Sequence, residues 1–152
     1  LHPVGRLDAD SHGALLLTDL GELTLKLTHP RYSHAKTYRV WVKGAPPEPV
    51  PDRWRRGLPL DGCLTRPAWV RRLRTWGDRS LLEIEMREGR NRQIRRMAEA
   101  LGHPVLDLQR TAIAGLPLGD LAEGCWIWLS EGEWKPLLER ADPMDWPKSP
   151  CD

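Results

Sequence analysis

A chain of 152 residues is long enough to bury one core and too short for two ordinary domains. Apolar residues make up 40% of it and charged residues 29%, proportions that exclude a disordered or fibrous protein. No apolar run reaches the roughly 20 residues of a membrane-spanning helix, so no membrane association is expected. The three cysteines lack the spacing of zinc ligands, and their odd number favours a reducing, cytoplasmic location.

Positive charge is concentrated in the middle of the chain, although the net charge is only +2. Residues 53–110 hold fourteen arginines against seven acidic residues, whereas residues 111–152 hold three basic and eight acidic residues. The planar guanidinium group suits phosphate oxygens and base edges. This pattern favours nucleic acid as the partner, and a merely solvated arginine face is the alternative that it leaves open.

The first third of the chain alternates between apolar patterns and turns. A continuous apolar run predicts a buried strand over 13–18, and leucines at helical spacing predict a helix over 22–28 that ends before a proline. Alternation predicts a strand over 37–42. The proline-rich stretch 45–51 predicts an extended surface loop, and 52–58 can form one or two helical turns.

Further along, two alternating segments at 69–76 and 80–87 flank a Gly-Asp turn and predict an antiparallel hairpin. The clearest helix covers 91–101, because its apolar stripe is followed by glycine and proline. Two more strands are predicted at 105–109 and 126–129. Strands and helices mix without a regular βαβ order, which predicts an α+β domain with a mixed, mainly antiparallel sheet and flanking helices.

Two segments could carry chemistry. Asp8 and Asp10 lie in a glycine-flanked loop ahead of the first predicted strand, where a carboxylate can be held firmly and serve as a nucleophile or base. In residues 88–97 a glycine turn opens the amphipathic helix with a dense cationic face. Loop or capping carboxylates and a solubilising arginine face remain the alternatives for both.

Several sequence motifs that follow one another along the chain help to decide between these alternatives. They are Gly5-Arg6-Leu7-Asp8, Ser11-x-Gly13-x-Leu15-Leu16-Leu17-Thr18-Asp19, Leu27-Thr28-His29-Pro30, Lys36-Thr37-Tyr38-Arg39-Val40, Thr65-Arg66-Pro67-Ala68, Glu88 to Met97, Leu108-x-Arg110 and Leu118 to Leu121 with Gly124 and Trp126. This series resembles the pseudouridine synthases, and more narrowly the RsuA/RluB/RluE/RluF branch that modifies bacterial ribosomal RNA. The resemblance implies the catalytic fold of that family over residues 1–141, followed by a disordered tail over 142–152.

The resemblance also implies roles for individual residues. Asp8 matches the essential aspartate, which attacks the target nucleotide while its glycosidic bond breaks. Tyr38 matches the tyrosine that stacks on the flipped uracil, and Leu108 matches an apolar wall of the uracil pocket, with core packing as the alternative. Arg95 matches the basic residue that pairs with the aspartate and keeps it ionised. Asp10 is expected to structure the loop.

Nucleotide contacts are expected from residues around the site, because a paired or stacked uridine must be flipped out before it can react. The candidates are Arg6, Lys36, Arg90, Asn91, Arg92 and Arg96. No metal and no organic cofactor are expected, and the chain is expected to act as a monomer.

Some features depart from the family pattern. An upstream strand with a Lys-Pro motif and an S4-type RNA-binding domain are absent from the sequence, so we expect an N-terminally truncated domain. Ala114 stands where relatives tend to have glycine. The short spacer over 44–53 is closest to the RluE type, which favours 23S over 16S ribosomal RNA as the substrate.

Two other functions stay open at this point. One is a non-catalytic ribosomal RNA-binding or ribosome-assembly protein on the same fold, which would have no need of Asp8, Tyr38 and Arg95 together. The other is a hydrolase that uses Asp8 and Asp10 as its two carboxylates, which would leave the arginine block unexplained.

Overall fold

A computed structural model describes residues 1–29 and 32–139. The expected disordered tail, 142–152, lies outside the described residues. Ten strands and four helices follow one another in this part of the chain. They are β1 (His2–Val4), β2 (His12–Gly13), β3 (Leu16–Thr18), α1 (Gly21–Thr28), β4 (Lys36–Lys43), α2 (Pro49–Arg56), β5 (Pro59–Leu60), β6 (Cys63–Leu64), β7 (Trp69–Trp76), β8 (Arg79–Met86), α3 (Gln93–Ala100), β9 (Val105–Ile113), β10 (Leu116–Pro117) and α4 (Glu131–Glu139).

The main sheet has the strand order β10-β9-β4-β8-β7, with all neighbours antiparallel. The short strand β2 joins β9 in parallel, off this path. Two further pairs, β1 with β3 and β5 with β6, are small antiparallel ribbons. The predicted α+β class with a mixed, mainly antiparallel sheet is therefore confirmed.

Two groups of buried side chains hold the elements together. In the main core, α2 and α3 cover one face of the sheet, with Trp54 and Met97 packed against strand residues such as Val40 and Ile84. The second core joins α1, α4 and β1 to the end of β9, and Leu137 lies at its centre. Strand β9 contributes to both cores, because Leu108 lies in the first and Ile113 in the second.

Several predicted elements are confirmed. The helix over 22–28, the strand over 37–42 and the hairpin over 69–87 are present with ends shifted by one or two residues. The helix predicted over 91–101 begins at Gln93, because Arg92 adopts a left-handed backbone conformation with φ of 48°.

The prediction of one continuous buried strand over 13–18 is wrong, because the segment forms two separate strands. Gly13 ends β2 with a φ of 116°, outside the usual range of strand residues, and the segment forms two short strands, of which β2 pairs with β9 and β3 pairs with β1. Leu15 and Leu17 are 43% and 57% exposed, so only part of the apolar run is buried.

The extended loop predicted over 45–51 is also wrong in part, since α2 already begins at Pro49. Proline is compatible with the first turn of a helix, where its missing N–H would have no partner in the helix. Pro46 and Pro51 are buried, so these two prolines anchor to the core a stretch whose other residues are mostly exposed.

The strand predicted over 126–129 does not form. Trp126 and Trp128 are 68% and 75% exposed, and their rings meet edge to face with centroids 5.3 Å apart. The helix α4 that follows was not predicted, because Pro136 lies inside it. No helix of the described residues is long and apolar enough to cross a membrane.

Candidate active site

Asp8 lies in a short loop that connects the two cores. The loop leaves β1 at the buried Val4 and returns to the main sheet at β2. The N–H of Ser11 donates to the backbone oxygen of Asp8 at 2.9 Å, which closes a tight turn around the carboxylate. The Asp8 side chain is 37% exposed, so the carboxylate is held by its backbone and remains accessible.

The two ends of the loop are joined by a buried arginine. The Nε of Arg110 donates to the backbone oxygen of Ala14 at 2.8 Å, and its Nη1 donates to that of Arg6 at 3.2 Å. Arg110 is only 4% exposed. The motif Leu108-x-Arg110 contains this residue, and the apolar residues two positions away on either side, Leu108 and Ala112, are the sequence signal that Arg110 lies on a buried face of the strand.

Gly13 allows the loop to approach β9 this closely. A Cβ at this position would lie 2.2 Å from the backbone oxygen of Arg110 and 2.6 Å from its nitrogen. Here the glycine is required both by its positive φ and by contact between two backbones.

The predicted pairing of Arg95 with Asp8 is wrong in this structure. The Nη2 of Arg95 donates to the backbone oxygen of Asp10 at 2.7 Å and to the hydroxyl of Ser11 at 3.0 Å. The guanidinium nearest to Asp8 is that of Arg92, whose Nη1 is 3.8 Å from the carboxylate. Arg92 directly precedes α3, has a left-handed backbone conformation and directs its guanidinium towards the loop.

Of the two carboxylates Asp8 and Asp10, Asp10 forms the stronger ion pair. Arg92 donates to both of its oxygens, at 2.9 and 2.8 Å, and Arg95 Nε lies 3.5 Å from one of them. The hydrogen bonds from Arg92 lower the pKa of Asp10 from 3.8 to about 2. Asp10 is therefore charged at neutral pH, which is consistent with a structuring role and unsuited to the protonated acid of a two-carboxylate hydrolase.

Tyr38 lies on the core face of β4, opposite Ile84 of β8 and Arg110 of β9. Burial raises the pKa of Tyr38, the nearby Arg110 guanidinium opposes that shift, and the Asp8 carboxylate adds to it. The side chain is therefore a neutral phenol at neutral pH, close to both Asp8 and Arg110.

Lys36 and Leu108 flank Tyr38. Lys36 lies two residues earlier on the same face of β4, where burial and the neighbouring Arg110 lower the pKa of its ammonium group. It also lines a cavity of about 280 Å³ together with Thr28, Glu88 and other residues. Leu108 is buried in the main core opposite Val40, so it packs beside Tyr38 rather than forming an open wall.

The other predicted contact residues differ in their freedom to reach a ligand. Arg6 and Asn91 are exposed, and the backbone oxygen of Asn91 accepts from Arg96. Arg96 also pairs with Asp61 at 2.7 Å. Arg90 donates to three backbone oxygens of the β5–β6 ribbon, which favours an internal role for it.

No group of three or more His, Cys, Asp or Glu side chains suited to a metal ion is found among residues 1–29 and 32–139.

Comparisons with known proteins agree with the motifs. The family model described as RNA pseudouridylate synthase matches residues 1–100. The chain is 42% identical over 144 residues to the ribosomal large subunit pseudouridine synthase B of Bacillus subtilis (strain 168), a match that covers 93% of the chain and 59% of that protein. It is 43% identical over 137 residues to the ribosomal large subunit pseudouridine synthase E of Xanthomonas axonopodis pv. citri (strain 306), covering 80% of the chain and 72% of the relative.

A solved structure described as a pseudouridylate synthase superposes with a TM-score of 0.83 at 34% sequence identity. The superposition covers 90% of this chain and 59% of that one. The chain thus spans less than two thirds of the length of several proteins that it matches. The family model, the curated relatives and the fold agree, and the chain belongs to the RNA pseudouridylate synthase family.

Proposed function

We propose that the protein converts a uridine of large-subunit ribosomal RNA into pseudouridine. The observation that carries this proposal is the buried Arg110, which bonds both ends of the Asp8 loop and is the cross-strand partner of Tyr38, whose titration the Asp8 carboxylate affects. Relatives named as large-subunit pseudouridine synthases support 23S ribosomal RNA as the substrate. A cytoplasmic location follows from that substrate, and a single chain supplies all the residues discussed.

The reaction exchanges one bond of the nucleotide for another. The bond between N1 of uracil and C1′ of ribose breaks, the base turns, and a bond from C5 to C1′ replaces it. C5 loses its proton and N1 gains one, so no atom is gained or lost overall. A carboxylate and a weak acid–base group beside the base are the two groups that this exchange requires.

The residues fit these two tasks. Asp8 is partly exposed and is held by its own loop, so it can reach a flipped nucleotide without rearrangement. Tyr38 is a partly buried neutral phenol with a flat apolar ring, suited to stacking against uracil and to receiving or relaying the C5 proton. Tyr38 lies in the central strand β4 and packs against the main core, which restricts its ring before the base arrives.

Phosphate contacts are proposed for the cationic side chains around this pair. Arg6 is exposed next to Asp8, and Lys36 is beside Tyr38 with no carboxylate partner among the described residues. Arg92 pairs with Asp10 and lies near Asp8, and Arg96 pairs with the exposed Asp61; RNA phosphates can replace these carboxylates. Asn91 is exposed in the turn that precedes α3, next to Arg92. Arg90 is left out of this set, because its donors serve the β5–β6 ribbon.

Tritium release from RNA tests the proposal. Transcripts of 23S and 16S ribosomal RNA carrying tritium at C5 of uridine are incubated with the wild-type protein and with Asp8→Asn. We expect release from 23S RNA by the wild type and none by Asp8→Asn, with RNA binding by the variant within about tenfold of the wild type, or 1.4 kcal/mol.

A matched control is Asp19→Asn, which removes an exposed carboxylate in the turn before α1. This variant should release tritium at the wild-type rate. If the wild type binds the RNA and releases no tritium, the catalytic proposal fails and non-catalytic RNA binding takes its place. Release by Asp8→Asn would refute the assignment of Asp8.

A further inference from the structure

We infer that Arg110 is a positioning residue, which holds the Asp8 loop and the Tyr38 side chain in one fixed arrangement for the reaction. The inference rests on the proposed function and adds a residue to it. Arg110 is a buried charged residue, and its guanidinium has an unusual set of partners.

A buried arginine is expensive unless its charge and its donors are satisfied. Arg110 is 4% exposed, and it makes no ion pair with a carboxylate among the described residues. Its partners are two backbone oxygens, those of Ala14 and Arg6, on either side of the Asp8 turn. The guanidinium therefore fixes the distance between the two ends of the loop.

The same side chain faces Tyr38 across the sheet. Tyr38 and Arg110 are cross-strand partners of β4 and β9, and the guanidinium affects the titration of the phenol. The third nitrogen of Arg110, Nη2, has no hydrogen-bond partner among the described residues. A buried donor without a partner is unusual and marks a place where a substrate oxygen or the phenol can be bound.

The backbone of Arg110 also belongs to this arrangement. Its oxygen accepts from the N–H of Ala14 at 2.8 Å, and β2 pairs with β9 at this residue. One residue therefore contacts the loop through its backbone and through two side-chain nitrogens. A Lys side chain could keep the charge and could not make both bonds, because it ends in one nitrogen.

Two variants separate positioning from plain structural support. Arg110→Met removes the charge and the fork, and Arg110→Lys keeps the charge alone. We expect both to lower kcat by about 100-fold, the effect of misplacing a reacting group, with the RNA dissociation constant changed by less than about threefold.

The second readout is the titration of Tyr38, followed by tyrosinate absorbance in a Tyr32→Phe background that leaves one tyrosine. Arg110→Met should raise the pKa of Tyr38, and Arg110→Lys should restore it towards the parent value while kcat stays low. Arg55→Met is the control, because Arg55 likewise donates to a backbone oxygen, that of Val70, but lies in α2 away from the loop. It should leave the titration of Tyr38 unchanged.

Unchanged kcat in Arg110→Lys would overturn the inference, and so would a Tyr38 titration that responds equally to Arg110→Met and Arg55→Met. If Arg110→Met does not fold, the kcat of Arg110→Lys alone decides whether the inference stands. The proposed function is judged separately by tritium release from the wild type and from Asp8→Asn. If the wild-type protein releases no tritium, the proposed function is refuted. The titration of Tyr38 would then remain as the test of the Arg110–Tyr38 contact.

Discussion

Two carboxylates only two positions apart, Asp8 and Asp10, have different surroundings. Arg92 forms two short hydrogen bonds with Asp10 and lies 3.8 Å from Asp8. The stronger pair therefore fixes the loop through Asp10 and leaves Asp8 available to a ligand. From the sequence the two residues could not be distinguished in this way, because which arginine of α3 reaches which carboxylate depends on the left-handed turn at Arg92.

The low pKa of Asp10 makes a pH-dependent contribution to stability. Because the pKa is about 2 in the folded protein against an ordinary 3.8, folding favours the charged form. This contribution is complete above about pH 4 and is lost as the pH falls towards 2. We expect Asp10→Asn to lower the Tm at about pH 6, with the difference from the wild type shrinking between pH 4 and pH 2.

Thermal melts of the wild type, Asp10→Asn and Asp19→Asn over this pH range measure the effect. Asp19 is exposed, and none of the described residues forms an ion pair with it, so its variant should follow the wild type throughout. A Tm difference for Asp10→Asn that is the same at both ends of the range would mean that the Arg92–Asp10 pair does not form in solution.

Among the secondary-structure elements, the two-residue strand β2 has the greatest influence on the site. Its parallel pairing with β9 brings Gly13 against the backbone of Arg110, and no larger residue fits there. The loop that carries Asp8 is therefore placed by a backbone contact as well as by side-chain hydrogen bonds.

Gly13→Ala should destabilise the fold by about 2–4 kcal/mol, the sum of backbone strain and overpacking against β9. Tritium release should fall as well, because the Asp8 loop must move away from the sheet. Gly21→Ala is the matched control, since a Cβ at the first residue of α1 meets no atom within 4 Å. Its effect in urea denaturation should stay within about 1 kcal/mol. Equal unfolding curves for the two variants would contradict the close approach at Gly13.

Elements with a strong local pattern could be predicted from the sequence, and those fixed by distant contacts could not. The alternation of β4 and the apolar stripe of α3 gave the correct type of structure. The break at Gly13 is set by β9, almost one hundred positions later, and therefore left no local signal. Ala114 is an intermediate case: the sequence marked it as a departure from glycine, and its φ of 51° gives the physical reason.

At the scale of the whole molecule, the site lies where the two cores meet. Tyr38 packs against the main core, and the Asp8 loop leaves β1, whose Val4 belongs to the second core. The relative position of the two groups therefore depends on the contact between the cores, of which β9 is the shared element.

Substitution of one leucine in each core tests this arrangement. Leu82 of the main core and Leu137 of the second core are both 1% exposed. Truncation of either to Ala should cost about 2–5 kcal/mol. In hydrogen exchange, Leu137→Ala should speed the exchange of α1 amides and leave β4 protected, whereas Leu82→Ala should speed exchange in both. Equal acceleration in α1 and β4 for Leu137→Ala would mean that the two cores unfold as one unit.

The pairing of β2 with β9 also has a consequence for the order of folding. Ala14 and its partner Arg110 are 96 positions apart, so the segment around Asp8 is synthesised well before the strand that holds it. Early in synthesis the carboxylate therefore belongs to an unanchored segment, and contacts of this separation form slowly because a long loop must first be closed. The Asp8 loop reaches its final position only after β9 has been made, so a nascent chain that still lacks β9 cannot hold Asp8 in place.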